Sequence, residues 1–128
     1  MSANSGPGYS KHPEHRVHVA PAGVRVRVTF NGEVIADTRD AIKLEESGYT
    51  TVYYVPRQDV KMQYLARTEH RTYCPFKGHA SYFTLSLRQR KAQNAAWSYE
   101  QPYDELSVIR EWLAFYPNKV DRIETNED

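Results

Sequence analysis

Residues 24–30 alternate strictly between apolar and polar side chains, and this pattern constrains the fold more than any other feature of the chain. Such a two-residue period is typical of a strand that is buried on one face. Asn31-Gly32 follows at once, a dipeptide that favours a two-residue type I′ hairpin turn. Residues 34–36 then return as a second strand. The buried face of the first strand carries Val24, Val26, Val28 and Phe30.

Similar patterns recur at close spacing along the rest of the chain. Asp104 is a residue type that caps helices, and apolar residues follow it at helical spacing, so one short C-terminal helix or helical turn is expected there. Residues 110–116 fit a helix and a strand equally well. Closely spaced strands with turn signals between them predict a mainly β fold, either a small open barrel or two packed sheets. Further strands are predicted at residues 41–45, 49–55, 62–67, 70–73, 79–87, 95–99 and 120–124.

Length and composition bound the organisation of the chain. Its 128 residues are the size of one domain. Residues 1–22 are rich in Gly, Pro, Ser and His and are expected to form a flexible arm, followed by a β-rich domain over residues 23–125 and a frayed acidic tail over residues 126–128. The net charge of +1 gives no general attraction to nucleic acid. No apolar run approaches the roughly 18 residues that span a bilayer, so no membrane partner is expected.

Ten tyrosines are unusual in so short a chain, and some of them are expected to line a site. Trp97 and Tyr99 lie two residues apart and therefore share one face of a strand. Tyr82 points away from the apolar face of its own strand. If Tyr82 faces Trp97, the two form an aromatic cleft with a few polar tips, which is typical of a ligand site; ordinary core packing is the alternative. The aromatic set is Tyr54, Tyr82, Trp97 and Tyr99.

Cys74 is the one cysteine of the chain, which excludes an internal disulfide and fits a reducing cytoplasm. Several basic residues surround it in the sequence, and positive charge favours the reactive thiolate. Cys74 is therefore a candidate nucleophile, with His70 or His79 as its base. The alternative is a small buried side chain in a turn set by the neighbouring proline and glycine.

Lys77 and Arg57 are the basic candidates for orienting a ligand. Lys77 precedes a glycine on a predicted loop, where it is suited to bind a phosphate or carboxylate. Alternatively it is a solvated charge, or it forms an ion pair with Glu45 or Glu46.

No metal or cofactor is expected from the sequence. His12, His15 and His18 are spaced by three, but Pro13 disfavours the helix that would bring them together. A polymerase-type nucleotidyltransferase needs carboxylates on one face to hold Mg²⁺, and the chain contains no Asp-x-Asp.

Two blocks carry a resemblance to a known family: Cys74-Pro75-Phe76-Lys77-Gly78-His79-Ala80-Ser81-Tyr82 and Ala96-Trp97-Ser98-Tyr99. With weaker blocks at residues 7–13, 52–60 and 114–116, the chain resembles the domain-of-unknown-function 427 family, sometimes labelled nucleotidyltransferase-like, over residues 7–121. The resemblance implies a β-tent fold, a pair of antiparallel sheets that lean together, as in the thalidomide-binding domain of cereblon. Many β-tent proteins hold a structural zinc between paired cysteines, which one cysteine cannot supply. The resemblance to this family implies no established reaction.

These observations lead to three hypotheses of different classes. The first is a module of a bacterial type that binds a small polar or anionic ligand in the aromatic pocket, near Lys77 and Arg57. The second is a thiol-dependent enzyme that uses Cys74. The third is a protein-interaction domain that uses the arm and an exposed sheet edge, with a homodimer as one outcome. Nucleotidyl transfer is the least favoured activity.

Overall fold

The computed structural model describes residues 4–127 and shows a mainly β domain, which confirms the predicted fold class. The described strands all pair in antiparallel fashion. In chain order they are β1 (Val17–Pro21), β2 (Arg25–Phe30), β3 (Glu33–Thr38), β4 (Ile42–Glu46), β5 (Val52–Tyr54), β6 (Leu65–Cys74), β7 (Gly78–Leu87), β8 (Arg90–Ser98), β9 (Ala114–Phe115) and β10 (Arg122–Asn126).

These strands divide into three sheets, with the orders β1-β4-β5, β10-β2-β3 and β6-β7-β8-β9. The hairpin that joins β2 to β3 turns at the predicted Asn31-Gly32. Both residues have positive φ, 50° at Asn31 and 84° at Gly32, as a type I′ turn requires, and glycine reaches such values without a steric penalty.

The central strand β7 is buried on both faces, and this divides the core into two clusters. Phe83 and Leu85 belong to the larger cluster, which also contains the inward face of β2. Ala80 and Tyr82 belong to the smaller cluster. Since successive side chains of a strand point to opposite faces, β7 contributes to both clusters and positions them back to back.

Helical structure is limited to short segments. Asp104–Ile109 forms a 3₁₀ helix at the predicted helical turn, and the ambiguous residues after it contain the short strand β9. Within residues 4–127, no helix is of the length and apolarity needed to cross a membrane. The other helical segments are the α-helix Gly8–Lys11 and the 3₁₀ helices Arg57–Asp59, Met62–Tyr64 and Pro117–Lys119.

Strand β6 differs from the two separate strands predicted for its region. Met62–Tyr64 is helical instead, and one strand runs to Cys74 with a register shift between Arg67 and Arg71. Thr68 lies at the shift, where its hydroxyl accepts a hydrogen bond from the His70 amide at 3.2 Å and donates to Asn94 at 2.7 Å. Side-chain bonds to nearby backbone compete with the ladder, so the strand bulges but continues.

The described part of the N-terminal segment packs against the domain, unlike the flexible arm predicted for residues 1–22. Residues 17–21 form β1, and the Gly8 amide donates to the Pro75 carbonyl at 3.0 Å. A Cβ on Gly8 would lie 2.8 Å from the ring of Phe76, so this close approach requires glycine. Residues 1–3 lie outside the described part of the chain. Of the predicted tail, residue 126 ends β10 and Asp128 lies outside the described part.

Glu100 ties the segment after β8 to two other parts of the fold. Arg67 of β6 donates two hydrogen bonds to its carboxylate, one of them 2.7 Å long. Arg57 donates a third at 3.2 Å. The hydrogen bond from Arg67 is the largest cause that lowers the pKa of Glu100 from 4.5 to about 2, with the nearby charges of both arginines contributing to the same shift.

This lowered pKa predicts a stability that depends on pH. A folded-state pKa below the unfolded value stabilises the fold above about pH 4.5, and the stabilisation disappears as the pH falls towards 2. Glu100→Gln should therefore lower the free energy of unfolding by about 1 kcal/mol or more at pH 7, and the difference from wild type should vanish near pH 2. Urea unfolding at several pH values measures it, with Glu69→Gln, an exposed carboxylate of β6, as control. A loss of equal size at pH 7 and pH 2 would contradict this account.

Candidate functional site

A cavity of about 310 Å³ lies against the smaller core cluster, and most of the residues predicted for the site line it. Its walls come from β4, the β4–β5 connection, β5, the β6–β7 turn, β7, the end of β8 and the segment after β9. We call it the aromatic cavity. The predicted residues that line it are Tyr54, Cys74, Lys77, Tyr82, Trp97 and Tyr99.

The register between β7 and β8 places Tyr82 directly opposite Trp97. Directly opposed side chains lie on the same face of a sheet, and the two residues share the wall of the cavity. The indole N–H of Trp97 donates to the Tyr54 hydroxyl at 3.2 Å. Tyr116 also packs on Trp97, with ring centroids 4.5 Å apart. Four aromatic rings, from β5, β7, β8 and the residue after β9, therefore form one continuous wall.

Three tyrosines of the cavity are held in their protonated form. Burial is the largest cause that raises the pKa values of Tyr54, Tyr99 and Tyr116 far above the usual 10. A neutral phenol both donates and accepts hydrogen bonds. These three tyrosines therefore present apolar ring faces with neutral polar tips.

The charged part of the wall is an ion pair between Lys77 and Glu46. The Lys77 ammonium lies 2.5 Å from a Glu46 carboxylate oxygen, and the two side chains are only 15% and 8% exposed. The second carboxylate oxygen of Glu46 lies 2.8 Å from Nε2 of His15. Since an ionised carboxylate only accepts, His15 donates from Nε2. Of the alternatives predicted for Lys77, the structure shows the ion pair with Glu46. Both residues line the cavity.

The packed N-terminal segment positions His15. Its ring lies 4.3 Å from the ring of Phe76 between centroids, and Tyr9 contacts Phe76 edge-on at 5.0 Å. The Tyr9 hydroxyl also donates to the Phe76 carbonyl at 3.1 Å. Phe76 lies in the turn that carries Lys77, so the same turn supplies the lysine and the surface that orients the histidine.

Cys74 and Lys77 reach the cavity because they flank one tight turn, in which the Lys77 amide donates to the Cys74 carbonyl at 3.2 Å. The two histidines predicted as bases do not line the cavity. His79 pairs with Tyr73 across the hairpin, and their rings are 4.8 Å apart; adjacent positions of a strand point to opposite faces, so Cys74 points away from them. His70 packs on the ring of Tyr82 at 4.5 Å.

Arg57 also lies away from the cavity, although it was predicted to bind the ligand. Besides its bond to Glu100, it donates from Nε to the Glu111 carbonyl at 2.9 Å. Its guanidinium lies 5.6 Å from the centre of the Phe83 ring. These contacts make Arg57 a link between loops, and Lys77 is the basic residue at the cavity.

Sequence reasoning missed several residues of this site, and three of them bear on its chemistry. Glu46 was considered only as one of two partners of Lys77, and no periodicity identifies it as a wall of the cavity. Tyr116 falls in the stretch where helix and strand could not be separated. His15 was examined with His12 and His18 as a metal ligand, whereas its partner is 31 positions away. Among residues 4–127, no group of three or more His, Cys, Asp or Glu side chains is arranged to hold a metal ion.

Comparison with known proteins agrees with the family resemblance. A comparison with curated proteins found no match. The family described as Domain of unknown function (DUF427) matches residues 18–126, which include β1 to β10 almost completely and most of the cavity wall. Because this match covers most of the chain, the protein belongs to the DUF427 family.

Proposed function

We propose that this protein binds a small polar molecule in the aromatic cavity. The observation that carries the proposal is a buried ion pair set into a wall that is mainly aromatic and aliphatic. Cavities that bind small molecules are lined mostly by apolar and aromatic side chains, with a few polar groups that fix orientation, and their volumes begin near 300 Å³. The volume of about 310 Å³ and the lining fit a ligand that carries one ring or a short chain.

The ion pair sets the charge of the ligand. The ammonium of Lys77 is already balanced by the carboxylate of Glu46 at 2.5 Å, so a free anion would meet Glu46 as well as Lys77. A neutral group with an adjoining acceptor and donor suits the pair better, because its carbonyl accepts from the ammonium while its N–H donates to the carboxylate. Primary amides, lactams and the edges of nucleobases have this pattern. We therefore favour a neutral polar ligand over an anionic one.

The aromatic walls supply contact area at little entropic cost. Tyrosine and tryptophan have two side-chain torsions each, and here packing and hydrogen bonds already restrict them. Trp97, which contacts both Tyr54 and Tyr116, presents a preformed face for stacking. A planar ligand would stack on these rings, and the neutral phenols would bond its remaining polar atoms.

A thermal-shift screen tests the proposal. Any molecule that binds only the folded state raises the melting temperature. The library contains primary amides, lactams, nucleobases, simple carboxylates and nucleotides with and without Mg²⁺. We expect shifts from the neutral amide-like classes. A response confined to nucleotides with Mg²⁺ would favour nucleotidyl chemistry instead. If no compound raises the melting temperature, the aromatic residues serve only to pack the core and the proposal is wrong.

The two tryptophans provide a matched pair of variants for any compound that shifts the melting temperature. Trp97 lines the cavity, whereas Trp112 packs against the smaller cluster outside its lining. The ligand should quench the fluorescence of Trp112→Phe, in which Trp97 remains, and have little effect on Trp97→Phe. Affinity should also fall about tenfold in Trp97→Phe, since the bond to Tyr54 and part of the stacking face are lost. Quenching that survives in Trp97→Phe and disappears in Trp112→Phe would place the ligand elsewhere.

A thiol-dependent reaction is the second candidate, and it is favoured by one observation. Cys74 lines the same cavity as Lys77, so a bound molecule would contact the thiol. His70 and His79, the predicted bases, do not line the cavity. Glu46 is the carboxylate that lines it together with Cys74. Cys74 as a nucleophile would therefore need Glu46, directly or through a water, to accept its proton.

The Cys74→Ser variant separates the two candidates, and alkylation checks that Cys74 lies at the ligand. Iodoacetamide adds a bulky group to Cys74 and should abolish the ligand-induced thermal shift of the wild type, because the group occupies the cavity. Cys74→Ser should keep the shift, with affinity within about threefold of wild type, before and after the same treatment. If Cys74→Ser loses the ability to convert a bound compound that the wild type converts, the thiol is catalytic and the binding-only account is wrong.

A further inference from the structure

A second cavity lies next to the aromatic cavity and has a different chemistry. It measures about 400 Å³ and lies between β2, β10, the start of β5 and β9. Its lining includes Val28 and Val55, which are each 1% exposed, together with Phe115 and Ile123. Arg122 is the one charged side chain among the described residues that line it. We call this cavity the apolar groove.

The two cavities meet at a shared wall. Thr50, Val52 and Trp97 line both of them. Along β5, Val52 and Tyr54 point towards the smaller cluster while Tyr53 and Val55 point towards the larger one, as alternation requires. The aromatic cavity and the apolar groove therefore adjoin across the first residues of β5 and the indole of Trp97.

The floor of the apolar groove is formed by side chains of the larger core cluster. Protein interiors are close-packed, and voids larger than a water molecule are few. Here the valines on the inward face of β2 border open volume, although they belong to the larger core cluster. An apolar wall of this kind gains free energy when aliphatic or aromatic groups replace water against it.

We infer that the aromatic cavity and the apolar groove are two compartments of one site, which binds a planar neutral head that carries an aliphatic tail. This inference rests on the proposed function and extends it by naming the class of ligand. The head lies at the Lys77–Glu46 pair, and the tail passes Trp97 into the groove between β2 and β10. Each compartment alone is near the lower limit of ligand sites, and the two together lie well within their range of about 300 to 1,000 Å³.

A series of 4-alkylbenzamides, from benzamide to 4-butylbenzamide, tests the inference. The amide suits the ion pair, the ring suits the aromatic wall, and the alkyl chain reports on the groove. In the wild type, affinity should increase about threefold to fourfold with each methylene, the increment expected when a methylene leaves water. Isothermal titration calorimetry or the quenching of Trp97 measures it.

Filling the apolar groove should remove the gain in affinity per methylene without changing how the aromatic cavity binds the amide head. Thr125 lines the groove from β10 and is exposed, so Thr125→Tyr places a ring there. In this variant, 4-butylbenzamide should bind no more tightly than benzamide, while the affinity of benzamide itself stays at the wild-type value. Asn126→Tyr is the matched control, since its side chain is exposed and does not line the groove. Ile123→Phe fills the same compartment from a second position if Thr125→Tyr folds poorly.

The outcomes separate this inference from the proposed function. If benzamide binds but the alkyl chain adds no affinity in the wild type, the inference is wrong and the proposed function stands. A chain-length increment that persists in both Thr125→Tyr and Ile123→Phe also overturns it, because the tail would then lie elsewhere. If no member of the series binds the wild type, the aromatic cavity does not bind primary amides. The inference is then wrong, and so is the part of the proposed function that names amides.

Discussion

The buried ion pair between Lys77 and Glu46 is the interaction on which the site depends. Taking two charges out of water is costly, and the cost is recovered only when the geometry is good and the remaining polar atoms are bonded. Glu46 meets this condition because one oxygen binds Lys77 and the other binds His15. The pair thereby joins the end of β4, the turn between β6 and β7, and the N-terminal segment.

This arrangement explains why the N-terminal segment is packed and why its contacts converge on one turn. Gly8 allows the backbone to approach Phe76, Tyr9 caps that ring, and the ring supports His15. Each contact is ordinary, but together they hold the imidazole where the second oxygen of Glu46 needs a donor. The segment therefore supports the site through the bond from His15 to Glu46, although none of these residues lines the cavity.

The aromatic walls depend on a different constraint, the burial of β7 on both faces. One face supplies Phe83 and Leu85 to the larger cluster, and the other supplies Tyr82 to the smaller one. The same alternation directs Val52 and Tyr54 towards the smaller cluster and Tyr53 and Val55 towards the larger one. Two core clusters, a smaller one that contains buried tyrosines and a larger one whose fully buried residues are all apolar, thus arise in a single domain from simple two-residue periodicity.

The sequence predicted those parts of the fold that local patterns determine. The alternation of residues 24–30, the Asn31-Gly32 turn and the shared face of Trp97 and Tyr99 all depend on neighbours in the chain, and the structure shows each of them. The bulge at Thr68 was missed because it depends on Asn94 of another strand. The positions of His15 and Glu46 were missed for the same reason, since residues far apart in sequence determine both, and no local period encodes an ion pair between distant segments.

A double-mutant cycle on Glu46 and Lys77 tests the central claim most directly. Chemical denaturation would give the free energies of unfolding for the wild type, Glu46→Gln, Lys77→Met and the double variant. Each single change leaves a charge with little exposure and without its partner, so each should cost about 3 kcal/mol. The double variant should cost clearly less than their sum, with a coupling energy of about 2 kcal/mol. Additive losses, with a coupling energy near zero, would show that the pair does not hold the site together and would contradict this account.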